Sequence, residues 1–252
     1  MSFRTQIDFD LEIARGNVPG MSVVNKFGKN ALIVDGSPGL GTYEDIWDGG
    51  GSYPYPATAL ITHIHQAANQ AAMQGENIEV QGLDASWVLT VQTVALNAVN
   101  SSTLVALPTP LRRIFRMKVM TDVVTDEDVE AVNAGDTVIY AIAQAGLNQT
   151  LMALYTVPAG YTAYMTNWFM DQIAAVDKEP KAVEFRLWVA DRANDYEFQI
   201  KQSRGLPKSG PIQHIFKPYM KITEKSDIKI DAASVGEEAM AHAGFDLILI
   251  EN

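Results

Sequence analysis

The feature that most limits what this chain can fold into is a period-2 alternation of its side chains. Val183, Phe185, Leu187 and Val189 alternate with Glu184, Arg186, Trp188 and Ala190. Successive side chains of a β-strand point to opposite faces, so a segment of this kind has one face to bury. Ile114 to Met120 repeats the pattern, with Phe115, Met117 and Val119 on one side and Arg116 and Lys118 on the other. A helix would scatter these residues around its circumference.

Strand signals of this kind recur along most of the chain. They fall at 58–65, 77–83, 87–96, 114–120 and 136–143, and again at 151–157, 161–170, 182–190, 196–202, 212–222, 227–231 and 243–250. Turn-prone stretches separate them, among them Asn133-Ala134-Gly135, Pro158-Ala159-Gly160 and Ser234 to Glu238. The helix candidates are short: Gln66 to Gln74 for two turns, and Thr125 to Val132 for one or two. Closely spaced strands without long intervening helices predict an antiparallel sandwich or jelly roll. The expected fold is mainly β: an antiparallel β-sandwich over 57–148 and a C-terminal jelly-roll-like sandwich over 149–252, preceded by an extended N-terminal arm over 1–56.

The arm is expected because the first residues differ from the rest. Gly16, Pro19, Gly20, Gly28, Gly36, Pro38, Gly39 and Gly41 punctuate them, and long strands and helices tolerate such residues poorly. Yet Leu32, Ile33, Val34, Ile46, Trp47, Tyr53 and Tyr55 are too many apolar groups for a solvating tail. The segment Ile46-Trp47-Asp48-Gly49-Gly50-Gly51, with Tyr53, is the candidate assembly element, burying its aromatics against another surface such as a neighbouring subunit.

Composition narrows the function classes. There is no cysteine among the 252 residues, which excludes disulfides and thiolate zinc sites. The net charge of -11 opposes binding to nucleic acid through released counterions. The local basic group Arg112, Arg113, Arg116 and Lys118 reads as the solvent face of a strand. No window approaches the ~18 continuous apolar residues of a membrane span, and Met1 to Asp8 lacks the pattern of a signal peptide. The expectation is a soluble protein made without export, with no membrane or nucleic-acid partner.

Candidate chemistry is sparse. His63-Ile64-His65 places two imidazoles on one strand face, but the other histidines, His214 and His242, form no matching pair, and a metal needs further ligands. A polar strand face or interface is the expected role. Asp48-Gly49-Gly50-Gly51 is followed by Pro54 and Pro56, which forbid the helix that a phosphate cradle needs; its glycines are expected to turn the backbone or pack beside Trp47. Asp126, Glu127, Asp128 and Glu130 do not have EF-hand spacing. There is no Gly-x-Ser-x-Gly elbow. No catalytic residues, cofactor or metal are expected. Trp168, Trp188, Tyr161, Tyr164, Tyr196 and Tyr219 are read as core or interface, with sugar stacking the alternative.

Three segments together carry a resemblance. They are Phe27-Gly28-Lys29-Asn30 with Glu44 to Tyr53 downstream, Val80-Gln81-Gly82-Leu83-Asp84, and Asn148 to Gly160. In order and spacing they resemble a family of virion proteins from tailed, mostly marine bacteriophages, over about the first 170 residues. The Ala/Gln-rich stretch Gln66 to Glu76 departs from the family's Ser/Thr/Gly-rich link, and 171–252 matches none of its motifs. The resemblance implies a non-enzymatic virion component assembled in the host cytoplasm. As a capsid decoration or other auxiliary head protein, it would form a homotrimer or other cyclic oligomer and contact the major capsid protein or other virion proteins. The alternative is a tail or fibre module binding host-surface glycan; the lack of a collagen-like, coiled-coil or β-helical shaft favours the head.

Overall fold

The computed structural model describes residues 9–33, 42–174, 182–191, 195–207 and 210–252. One short helix, α1 (Phe9–Ala14), precedes the strands. The strands are β1 (Met21–Ile33), β2 (Glu44–Asp45), β3 (Ile61–Gln66), β4 (Asn77–Leu83), β5 (Leu89–Ala95), β6 (Val105–Leu111), β7 (Arg113–Val119) and β8 (Val129–Val132). They continue with β9 (Ile139–Ala143), β10 (Leu154–Thr156), β11 (Tyr161–Ala174), β12 (Ala182–Ala190), β13 (Phe198–Pro207), β14 (Ile212–Ile222), β15 (Asp227–Val235) and β16 (Ala239–Glu251). Every strand pairing is antiparallel.

Two sheets make the larger unit. One has the order β1-β16-β11-β14; the other runs β10-β15-β12-β13, with β2 also paired to β15. With β2 and β10 sharing one place, this is the strand order of an eight-stranded jelly roll. Trp168, Phe185 and Phe245 are fully buried between the sheets, and burying each such side chain is worth about 1.5–3 kcal/mol. The alternation of Val183 to Ala190 is the reason: Val183, Phe185, Leu187 and Val189 all face this core.

The shared place is a strand interrupted by an insertion. Glu44 and Asp45 stand opposite Ala232 and Asp231, while Leu154, Tyr155 and Thr156 stand opposite Lys229, Ile228 and Asp227. Ile46 fills the gap, its N–H donating to the Ile230 carbonyl at 2.9 Å. The Ala153 N–H then donates to the Ile46 carbonyl at 2.9 Å, and Trp47 and Met152 form a bridge just outside. Residues 47–152 are thus spliced into a jelly-roll strand. β1 crosses this splice at Gly28, where a Cβ would lie 2.2 Å from the Ala153 nitrogen and 2.6 Å from the Ile46 oxygen.

The insertion is itself a sandwich, with sheets β6-β3-β8-β9 and β5-β4-β7. Ile61, Ile64, Met73, Ile78, Leu111 and Met117 fill its core. The Gln92 amide joins the two sheets, donating to the Thr109 carbonyl at 2.9 Å and accepting the Thr109 N–H at 2.9 Å.

Several expectations differ from this structure. Residues 21–33 and 44–45 are strands of the jelly roll itself rather than an arm; 1–8 and 34–41, with Val34, Gly36, Pro38, Gly39 and Gly41, lie outside the described residues. Val129–Val132 is strand β8, not helix, because pairing to β3 and β9 overrides the acidic, helix-like start. Gln66 to Gln74 contains one 3-10 turn, Ala71–Met73. Strand β6 was hidden by Pro108 and Pro110, which a strand accepts at a sheet edge, where β6 lies. Arg116 and Lys118 are exposed as expected, but Arg113 is buried.

Candidate functional site

The segment expected to anchor a neighbour is occupied within its own chain. Ile46, Trp47 and Tyr53 are buried. The Trp47 ring meets Tyr53 edge-on at 5.1 Å, Tyr53 meets Tyr55 at 4.8 Å, and Tyr55 meets Phe198 of β13 at 5.2 Å. This aromatic series ties the insertion to the jelly roll. Gly49 lies flat on the Trp47 ring, where a Cβ would come within 2.2 Å of the indole. Gly50 and Gly51 take positive φ, 65° and 59°, and turn the chain so that the Trp47 indole N–H donates to the Gly50 carbonyl at 2.8 Å. The glycines therefore do what the sequence predicts of them: they turn the backbone and pack beside the tryptophan.

Charged groups complete the joint. The Arg113 guanidinium grips Asp227 of β15 through two hydrogen bonds, both 2.8 Å, and donates to the Pro56 carbonyl at 2.7 Å. Asp45 accepts from Lys229 at 2.7 Å and from the Tyr53 N–H at 2.7 Å. Asp48 accepts the Leu151 N–H at 2.6 Å, yet its other oxygen is buried without a partner. Burial pushes its carboxyl up to about 7, against the pull of that N–H. Lys26, donating to the Phe115 carbonyl at 2.6 Å, is brought down to about 7 by burial and by Arg116.

The surface that remains open lies on the outer face of sheet β1-β16-β11-β14. Alternation in β1 sends Val23, Asn25 and Phe27 outward. Register places Asn25 opposite Asp246 and Asp246 opposite Asn167. The Asp246 carboxylate thereby receives the Asn25 amide at 2.5 Å and the Asn167 amide at 2.7 Å. The Asn167 amide oxygen is buried and has no hydrogen-bond partner. This polar trio floors a cleft of about 370 Å³ walled by Asp10 and Ile13 of α1 and by Gln213, Ile215 and Tyr219 of β14. An adjoining hollow of about 230 Å³ is lined by Phe9, Met21, Tyr164, Tyr219 and Ile250.

Around the cleft the face is apolar. Phe9, Val23, Phe27, Ile215 and Tyr219 are each between 39% and 56% exposed. Of the six aromatics considered for sugar stacking, Tyr164 and Tyr219 meet here. Trp168 is core, and Trp188 and Tyr196 belong to or adjoin the opposite sheet. This cleft is not legible in the residues alone, because its parts come from four strands and a helix distant along the chain.

The two strand histidines separate in role. His63 Nδ1 lies 2.8 Å from the Thr62 hydroxyl, while His65 is buried beside Glu130 and Asp136. The acidic run 126–130 disperses: Asp126 takes a hydrogen bond from Gln70 at 3.2 Å, and Asp128 takes the Ala145 N–H at 2.7 Å. Among the described residues no helix is long and apolar enough to cross a membrane.

No family model and no curated protein matches the chain. Among solved structures, it is similar to that of infectious bursal disease virus, Gx strain, at 10% identity and a TM-score of 0.24, covering 100% of this chain and 79% of that one. A mutant VP2 protein of infectious bursal disease virus follows at 9% identity and 0.22, covering 98% and 76%. The cysteine protease and lectin-like domains of a surface-layer-associated protein of Clostridium difficile give 8% and 0.21, covering 76% and 63%. Likenesses this slight carry no weight for function.

Proposed function

We infer that the chain is a non-enzymatic structural protein of a tailed-bacteriophage particle, a capsid decoration or other auxiliary head protein that works as a homo-oligomer against the major capsid protein. The resemblance of the Trp47 segment to phage virion proteins supplies the particle. The observation that carries self-association is the apolar outer face of sheet β1-β16-β11-β14, where Val23, Phe27, Ile215 and Tyr219 of the sheet and Phe9 of α1 are exposed. Contiguous exposed apolar surface of this kind marks an interaction site. A cyclic oligomer covers such a face by pairing it with a neighbouring copy. Sedimentation of the full chain tests this: a trimer or other closed oligomer is expected, and a monomer at tens of micromolar would contradict it.

A second reading, a tail or fibre module that binds host-surface glycan, is favoured by one arrangement. The Asp246 carboxylate and the amides of Asn25 and Asn167 lie at the floor of a cleft beside Tyr219. Carboxylate, amides and an aromatic ring are the groups that hold sugar hydroxyls and stack on the ring. Saccharide binding by wild type that disappears in Asp246→Ala and Tyr219→Ala would select this reading over the first.

A further inference from the structure

The geometry points to a divalent transition-metal site, of the kind that takes Zn²⁺, formed by His65, Glu130 and Asp136 in the inserted sandwich. Strand register builds it. His65 of β3 stands directly opposite Glu130 of β8. The turn between β8 and β9 then folds Asp136 back over both. That turn is held by Asn133, whose carbonyl accepts the Asp136 N–H at 3.0 Å and whose side chain accepts the Thr137 N–H at 2.8 Å. Two ligands thus sit on paired strands and the third on a braced hairpin.

The distances match what a metal requires. His65 Nε2 lies 3.4 Å from Glu130 Oε2 and 3.3 Å from Asp136 Oδ1. Ligand atoms about 2.0–2.1 Å from a tetrahedral zinc are separated by about 3.4 Å. The three donor atoms all lie within 4.8 Å of one another. His65 is only 6% exposed, and its Nε2 faces both carboxylates at ion-pair distance, with an alignment too poor for a regular hydrogen bond to either. With its proton on Nδ1, a neutral imidazole there turns the Nε2 lone pair to the point that the two carboxylate oxygens also face, so a metal ion would take the place of the proton they now hold. One nitrogen and two carboxylate oxygens suit Zn²⁺ or Mn²⁺; calcium takes six to eight oxygens. The Asp136 side chain is 44% exposed, which leaves a route for the ion and room for a water as fourth ligand.

None of the three residues lines the cleft on the outer face of the jelly roll, so the proposal does not rest on the reading of that face. A bound ion would clamp the β8–β9 hairpin onto β3, in a chain whose lack of cysteine denies it disulfide staples. Binding to the folded form alone would also raise stability in proportion to the logarithm of free metal.

Calorimetric titration of the EDTA-stripped full chain with Zn²⁺ tests this. One ion per chain is expected in wild type, with a higher melting temperature. His65→Gln and Asp136→Asn should each weaken uptake at least about tenfold, as loss of a metal-site group does, while His63→Gln should not. Asp136→Asn keeps the fold in play, because the position has φ of 52° and asparagine tolerates that conformation. No stoichiometric uptake by wild type, or unchanged affinity in Asp136→Asn and His65→Gln, would overturn the proposal.

Discussion

The main-chain N–H of Ala153 donates to the carbonyl of Ile46 across 2.9 Å, so the chain re-enters a jelly-roll strand at the point where it left. Residues 47–152 fold between those two atoms as a separate sandwich. A strand built from two pieces keeps its place only while its neighbours hold the splice closed. The contacts around the splice therefore couple the inserted sandwich to the jelly roll.

Gly28 is the first of these. Its Cβ position is filled by the backbone of Ala153 and Ile46, which cannot swing aside as a side chain would. Gly28→Ala is expected to cost about 3 kcal/mol, the upper end of overpacking penalties, and to expose the splice amides to hydrogen exchange. Urea unfolding within about 0.5 kcal/mol of wild type would contradict this close crossing.

Arg113 and Asp227 link the insertion to the jelly roll through a buried, two-bond ion pair. Removing one partner leaves the other charge uncompensated, so Asp227→Ala should destabilise by about 3–5 kcal/mol. Replacing both, as Arg113→Met with Asp227→Leu, should recover most of that loss. Equal damage from the single and double variants in chemical denaturation would argue against an uncompensated charge.

Asp48 predicts a pH dependence. Its folded pKa, about 7, stands above its ordinary value of 3.8 because burial disfavours the carboxylate. The folded chain therefore holds this proton more tightly than the unfolded chain. Its contribution to stability is full below about pH 4 and is lost as pH rises through about 7. Asp48→Asn keeps an acceptor for the Leu151 N–H and has no proton to lose. It should match wild type near pH 4 and exceed it at pH 8 in thermal melts; a difference that is the same at both pH values would refute the shift.

The outer face predicts a different kind of effect. Phe27 and Ile215 are exposed, 45% and 55%, so Phe27→Asp and Ile215→Asp should change the stability of the single chain by no more than about 0.5 kcal/mol. Both should break self-association, shifting the sedimenting species to monomer. Variants that still assemble would place the interface elsewhere.

The β class and most strands were legible because period-2 alternation is local. Val183 to Val189 shows its buried face in the residues alone, and so do Met117 and Val119; Phe115 does not share theirs, because a bulge between Ile114 and Arg116 turns it to the jelly-roll core and leaves Ile114 in the core of the insertion. What stayed hidden depends on distant partners. β1 reads as an arm because Gly28 and the glycines and prolines on either side look like loop punctuation, and only pairing with β16 and the close crossing at Gly28 explain that glycine within a strand. Arg113 reads as a solvent-facing cation until Asp227, far along the chain, is placed beside it. The Asp246 cleft and the His65 cluster are both made by register between strands remote in sequence, which no spacing rule within one strand can reveal.

The most direct test of a particle role is electron microscopy of purified virions with this protein labelled or resolved in the density. Copies are expected at symmetry-related positions over the shell, in contact with the major capsid protein and joined through the β1-β16-β11-β14 face. Absence from the particle, or a handful of copies confined to the tail, would contradict it.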